Sequence, residues 1–263
     1  MILYSGREGS SALVAHLRRH PRIAVPFFEK LDLYMLEREV PRAAWEHLPL
    51  ALRRTLRGGR YEPAFFAPAE AGLPEPDAAG RQTVFKWRGW RLDPPVAAAL
   101  LAEGAGLFLL NRRDLLNLNL SLYLTRHAIG GGVLRHPQFE ALALRPDGRA
   151  ALRAELWETR FAVDVAILAA EMRGQVEAKR ATLGAVRDFS ARGVPMRPIW
   201  YEDFLTTPEP ILAGMLAALG QPWDAAVRES EYQKMSRPDL REQVENLPAL
   251  ERSSEIADLL GEW

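Results

Sequence analysis

The beginning of the chain constrains the fold most. Met1 to Tyr4 is a short apolar run, and Ser5-Gly6-Arg7-Glu8-Gly9-Ser10-Ser11 follows at once. Ala12 to Arg19 then carries apolar residues at helical spacing, with basic residues in its last turn and Pro21 beyond it. Strand, glycine-containing loop and helix in that order predict an α/β unit. A parallel sheet built from such units receives its ligands at the carboxyl ends of the strands.

The rest of the chain repeats the alternation. Ile23 to Phe28 reads as extended, Thr83 to Trp87 as a second strand, and Pro95 to Glu103 as a helix. Gly106 to Leu110 reads as a third strand leading into a helix from Leu115 to Arg126. Ala150 to Arg192 is a long helical region with Gly174 or Gly184 near a bend, and Met196 to Trp200 is a short extended run. A helix from Pro208 to Leu219 ends at Gly220, a residue suited to the left-handed position after a helix. The Pro-, Ala- and Gly-rich stretch from Tyr61 to Ala79 reads as a surface excursion, and the tail from Glu231 to Trp263 as polar and partly helical. No Ser/Gly linker or long charge run marks a boundary, so a single domain over 1–263 is expected, three-layered, with a mostly parallel sheet flanked by helices.

Charge and composition exclude several function classes. Lys plus Arg equals Asp plus Glu, 34 each, so no global field draws in nucleic acid or an anionic membrane, and an anion site must be local. The chain has no cysteine, which removes disulfides, thiol catalysis and thiolate metal sites. No run approaches the ~18 apolar residues of a membrane span, and the opening residues do not form a secretory signal. A cytoplasmic protein is expected; oligomeric state is not legible.

The first loop has the means to hold phosphate: backbone amides, a helix N-terminus, the hydroxyls of Ser10 and Ser11, and the charge of Arg7. It is a poor match to the ATP-binding pattern G-x-x-x-x-G-K-[ST], because Tyr4 takes the place of the first glycine and Ser10 that of the lysine. The same residues also suit a turn that merely caps a helix. Arg7-Glu8-Gly9-Ser10-Ser11 resembles the 5′-phosphosulfate loop of sulfotransferases that use 3′-phosphoadenosine 5′-phosphosulfate (PAPS). Glu8 departs from that pattern, where a small hydroxyl residue is usual, and a carboxylate so close to an anion is unwelcome unless it points outward.

Two further segments fit the resemblance. In the family a strand ends in an Arg, with a Ser eight residues later on the next helix, and both hold the 3′-phosphate; Arg113 and Ser121 match that spacing. An ion-paired Arg and a buried helix serine would read the same way, and Arg112 is the competing register, with Leu120 as its partner. Tyr201-Glu202-Asp203 after the Met196–Trp200 run is similar to the family's strand-Tyr-Glu-Asp segment, where the Tyr lies near adenine; core packing of Tyr201 is the plain alternative. Lys234 and Ser236 resemble the region that closes over the nucleotide in bacterial members.

The resemblance implies a P-loop NTPase-like fold, PAPS as co-substrate with no metal, and a small-molecule, carbohydrate or lipid hydroxyl as acceptor. Sulfuryl transfer needs a base for the acceptor proton and cations for the charge growing on the leaving phosphate. Arg7 suits the leaving group. Glu29, after His20-Pro21 and an extended run, matches the carboxylate base of some members, and Phe27 and Phe28 would raise its pKa by desolvation; a surface pair with Lys30 is the alternative. Lys86, read as the end of its strand, resembles a Lys that meets sulfate or acceptor, and a stem packed on Trp87 or Trp90 explains it equally. His16 and His20 lie in or at the end of the first helix and are inferior bases, while His127 and His136 flank Gly130-Gly131-Gly132. A P-loop small-molecule kinase and a non-catalytic nucleotide-binding protein remain the competing readings.

Overall fold

The computed structural model describes residues 1–6, 8–25, 82–84, 86–89, 106–128, 153–154, 156–230 and 237–263. They fall into two compact units, one of Met1–Asn111 with Ala178–Tyr232 and one of Arg112–Glu177 with Gln233–Trp263.

The first unit is α/β. Its four-stranded sheet has the order β4-β1-β5-β6 and is parallel throughout, from β1 (Ile2–Tyr4), β4 (Lys86–Arg88), β5 (Leu107–Asn111) and β6 (Met196–Trp200). The central pair is buried along its whole length, as a parallel sheet covered on both faces requires. Outermost of the four, β6 is more exposed and carries Pro198, which a strand tolerates at an edge. Helix α1 (Ser10–Leu17) turns Leu13, Val14 and Leu17 into the core against Ile2, Phe108 and Leu110.

The expected strand from Thr83 to Trp87 is two pieces. β3 (Gln82–Thr83) pairs with β2 (Ile23–Ala24) in a separate two-stranded sheet, whereas β4 begins at Lys86 and pairs with β1. Lys86 therefore starts its strand instead of ending it. Apolar periodicity marks extended chain but not which neighbour the extended chain pairs with.

The helix after β6 is α4 (Tyr201–Thr206), and α5 (Pro208–Ala218) follows. At its end Gly220 adopts φ 66°, with its N–H donating to the Ala217 carbonyl at 3.1 Å and Gln221 N–H to that of Leu216 at 2.8 Å. Those two bonds satisfy the carbonyls left over by the last turn.

The second unit is helical among its described residues. Helix α2 (Leu115–Tyr123) is shorter than the predicted Leu115–Arg126 helix and continues as a wider π-helical turn over Leu124–Ala128. Helix α3 (Val165–Ala191) runs unbroken through Gly174 and Gly184, where the sequence pointed to a bend. Each glycine costs a helix only about 1 kcal/mol relative to alanine, which the packing of a long stripe outweighs. The part of α3 in this unit buries Leu168, Met172 and Val176.

The tail is more than a polar surface. Leu240, Val244, Leu250, Ile256 and Leu259 are buried in the same cluster as α2. Phe161 bridges Val244 in parallel, and α6 (Leu247–Glu251) and α7 (Ser254–Glu262) complete the segment. Trp263 Nε1 donates to the Arg112 carbonyl at 2.6 Å.

Asp114 joins tail and helix. Its Oδ1 accepts the Asn117 N–H at 2.9 Å, capping α2, and its two oxygens take Arg241 at 2.7 and 2.8 Å. Burial pushes this carboxyl up, but the Arg241 hydrogen bond, the Asn117 amide and the charges of Arg241 and Arg112 outweigh it and hold the pKa below 3.8. Asp114→Ala should cost about 2 kcal/mol, combining a lost cap and a half-exposed ion pair. Because the folded pKa is depressed, that contribution is present above the unfolded value and lost as pH falls through the folded one. Urea unfolding at pH 7 and at pH 3 checks both, since the gap between variant and parent should shrink in acid.

Candidate functional site

The site is built on the turn between β1 and α1. Gly9 sits at the head of the helix with φ 83° and ψ 16°, and its carbonyl accepts the N–H groups of Ala12 at 3.0 Å and Leu13 at 3.3 Å. Only glycine adopts that backbone without strain. Space enforces the same choice, because a Cβ on Gly9 would stand 2.1 Å from Cε2 of Tyr201. No side chain caps α1, so its first amides keep the anion preference of a helix start.

The neighbouring strand supplies a cation. Lys86 is entirely buried, lies opposite Ile2 in the parallel register, and donates from Nζ to Ser11 Oγ at 3.0 Å. A buried ammonium held at a hydroxyl of an anion-type loop is the strongest chemical feature among the described residues. The resemblance gave Lys86 to sulfate or acceptor. Its contact is with the loop itself.

Glu8 turns inward, the placement that is unwelcome in a phosphosulfate loop. It is 0% exposed, accepting Ser5 N–H on Oε2 at 2.6 Å and the Ser5 hydroxyl on Oε1 at 3.2 Å. Burial pushes its carboxyl up to about 7, against the Ser5 amide, the charge of Lys179, the Ser5 hydroxyl and the Gly6 amide, which all favour the ionised form. The physical reason for the inward turn is local: loop amides that curl around a point need an acceptor, and Glu8 supplies one.

Lys179 on α3 answers that charge. Its Nζ lies 5.6 Å from the centre of the Trp200 ring, and burial lowers its pKa while Glu8 and Glu202 raise it. Neither Lys179 nor Ser5 was singled out from the sequence. For Lys179 a signal existed, since it falls on the stripe of α3 that also buries Thr182 and Phe189.

The other predicted residues fall as follows. Ser10 is buried and Ser11 half-buried at the start of α1. Tyr201 is 6% exposed, within the core that holds Phe204, with its ring against Gly9. In the second unit Arg113 is exposed just before α2, Arg112 is buried, and Ser121 is half-buried on α2. Arg7, Glu29, His136, Lys234 and Ser236 lie outside the described residues.

Two histidines serve the scaffold. His20 Nδ1 accepts the Arg22 N–H at 3.1 Å, which leaves Nε2 as the donor to the Pro222 carbonyl at 3.0 Å. His16 Nδ1 lies 2.7 Å from the Val227 carbonyl. A cleft of about 410 Å³ lies elsewhere in the first unit, along β6, α4 and α5, lined by Phe108, Arg197, Trp200, Asp203 and Met215 among others. No described residue of the turn between β1 and α1 lines it. Among the described residues no helix is long and apolar enough to cross a membrane, and no three His, Asp or Glu side chains gather as metal ligands.

No model of a known protein family matches the chain, and no curated protein does. Among solved structures the chain is similar to a sulfotransferase domain from the curacin biosynthetic pathway, at 15% identity and a TM-score of 0.47, over 100% of this chain and 88% of that one.

Proposed function

We propose that the chain is a sulfotransferase moving the sulfuryl group of PAPS to the hydroxyl of a small-molecule, carbohydrate or lipid acceptor. The observation that carries this reading is the Lys86 ammonium on Ser11, in a loop already shaped for an anion by Gly9 and the start of α1. A phosphosulfate is a dispersed anion with two charged centres, and a loop cation with paired hydroxyls answers it. Arg7, Gly9, Ser10 and Ser11 hold the 5′ end. The sequence resemblance gives Arg113 and Ser121 to the 3′-phosphate, while Tyr201 walls the loop at Gly9.

In the transfer step the acceptor oxygen attacks sulfur as the bond from sulfur to the phosphate oxygen breaks. The acceptor proton goes to Glu29, and the charge left on the phosphate goes to Arg7 and Lys86. Cations suffice for this, since the leaving group is already a phosphate. The protein is a cytoplasmic single domain in this reading.

The test is thermal stabilisation by the product nucleotide 3′-phosphoadenosine 5′-phosphate (PAP), in wild type, Arg7→Ala and Arg113→Ala. Saturation at a hundred times Kd should add about 2.7 kcal/mol to the wild type, and less to each variant at the same concentration. ATP should shift the midpoint less than PAP does. A wild type that does not respond to millimolar PAP would sink the proposal, and a stronger response to ATP would favour a kinase.

A further inference from the structure

We infer that Glu8 is a positioning residue of the phosphate loop: its buried carboxylate fixes the loop through Ser5 and links the binding of an anionic phosphate to the uptake of a proton. The inference rests on the reading of this loop as the phosphate site and goes beyond it in naming how the site responds to pH.

The geometry comes first. Glu8 immediately precedes Gly9, the residue that heads α1, and its side chain is withdrawn from solvent completely. One oxygen takes the Ser5 amide at 2.6 Å and the other the Ser5 hydroxyl at 3.2 Å. Ser5 and Glu8 are thus tied together across the turn, and an anion held at Ser10 and Ser11 would lie only two and three residues along the chain from the carboxylate. Two negative charges on so short a stretch of chain, one of them fully buried, cannot both persist without cost.

Protonation removes the conflict and keeps the geometry. A neutral carboxyl still accepts the Ser5 N–H on its carbonyl oxygen, while its O–H donates to Ser5 Oγ, which turns from donor to acceptor. The charged groups facing Glu8 among the described residues set where this happens. Lys179, from α3, favours the ionised form, and Glu202, from α4, acts in turn on Lys179. Lys86, from β4, stands at Ser11. Burial pushes the carboxyl up to about 7, and a bound phosphate would move it higher.

The sign follows. Between the two values the bound loop holds a proton that the empty loop has released. Affinity therefore falls as pH rises above about 7, by at most ~10-fold per pH unit. Glu8→Gln copies the protonated form, with its amide oxygen accepting from Ser5 N–H and its NH2 donating to Ser5 Oγ. Glu8→Ala removes the acceptor altogether.

The experiment is calorimetric titration of the full chain with PAP at pH 7.0 and 8.5, in two buffers of different ionisation enthalpy. Wild type should lose roughly 10-fold in affinity across that range and show proton uptake as a buffer-dependent heat. Glu8→Gln should change less than about twofold, bind more tightly than wild type at pH 8.5 and show little uptake, whereas Glu8→Ala should bind weakly at both pH values. PAP binding whose pH slope survives in Glu8→Gln assigns the proton to Lys179 or another group and overturns the inference alone. So does wild-type binding without proton uptake, a measurement that needs no variant. PAP that fails to bind at either pH overturns the reading of the loop, and this inference with it.

Discussion

Gly9→Ala is expected to cost the first unit about 2–5 kcal/mol, a large fraction of the stability of an ordinary domain. Two independent penalties add here. At φ 83° an alanine is held in the left-handed region, which costs an L-residue roughly 1–2 kcal/mol. Its methyl would also lie 2.1 Å from Cε2 and 2.2 Å from Cδ2 of Tyr201, well inside contact distance. The ring has little room to retreat, because Tyr201 shares its buried cluster with Phe204, Leu212 and Ile199. Overpacking of that kind typically costs a further 1–3 kcal/mol. Guanidinium unfolding should show the loss, and in a Tyr201→Ala background the same substitution should cost only the backbone part. A midpoint unchanged by Gly9→Ala would mean that the turn is not built as described.

Lys86→Met is expected to separate binding from folding. The position is completely buried, and methionine fills a similar volume without a charge to desolvate, so unfolding free energy should stay within about 1.5 kcal/mol of the parent. Affinity for PAP should fall by roughly 10–100-fold, the worth of one hydrogen bond from a charged donor. Lys86→Arg should not rescue it, since a planar fork does not fit a seat shaped for a compact ammonium. Fluorescence or calorimetric titration reads the affinity. A Lys86→Met variant that binds PAP as the parent does would remove Lys86 from the site and leave its bond to Ser11 as scaffold only.

How far the sequence reached depends on the kind of information each feature needs. β1, β6 and the Pro208 helix with its Gly220 stop came out within a residue or so, because short apolar runs and a left-handed glycine are local signals. The division of residues 82–88 between two sheets did not, since pairing partners are chosen by tertiary packing and leave no mark in the strand itself. The tail was underestimated for a related reason: Leu240, Val244 and Leu250 are spaced too irregularly to read as one amphipathic face.

Within the site the glycine, the serines and Lys86 were legible as residue types in a recognisable order. What they touch was not. Glu8 was legible only as a departure from the phosphosulfate-loop pattern; charged side chains are seldom fully buried, and a loop has no period to show which way one turns. Lys179 was more accessible to reasoning, since counting by turns from Leu168 through Met172 and Val176 lands on it. A charge on the buried stripe of a helix is a reason to look for its counter-charge across the fold.

The register of β1 against β4 has a consequence for the order of events during folding. The loop's amides and hydroxyls belong to the first residues of the chain, but the ammonium seated on Ser11 arrives from a strand that begins at residue 86. Until β4 docks beside β1, the turn lacks that strand-borne charge, however well its own helix has formed. The charge at Ser11 is thus gained through a contact of long sequence separation, the kind that forms slowly. In a newly made chain the turn precedes β4, and the Lys86 ammonium reaches Ser11 only once the two strands have paired.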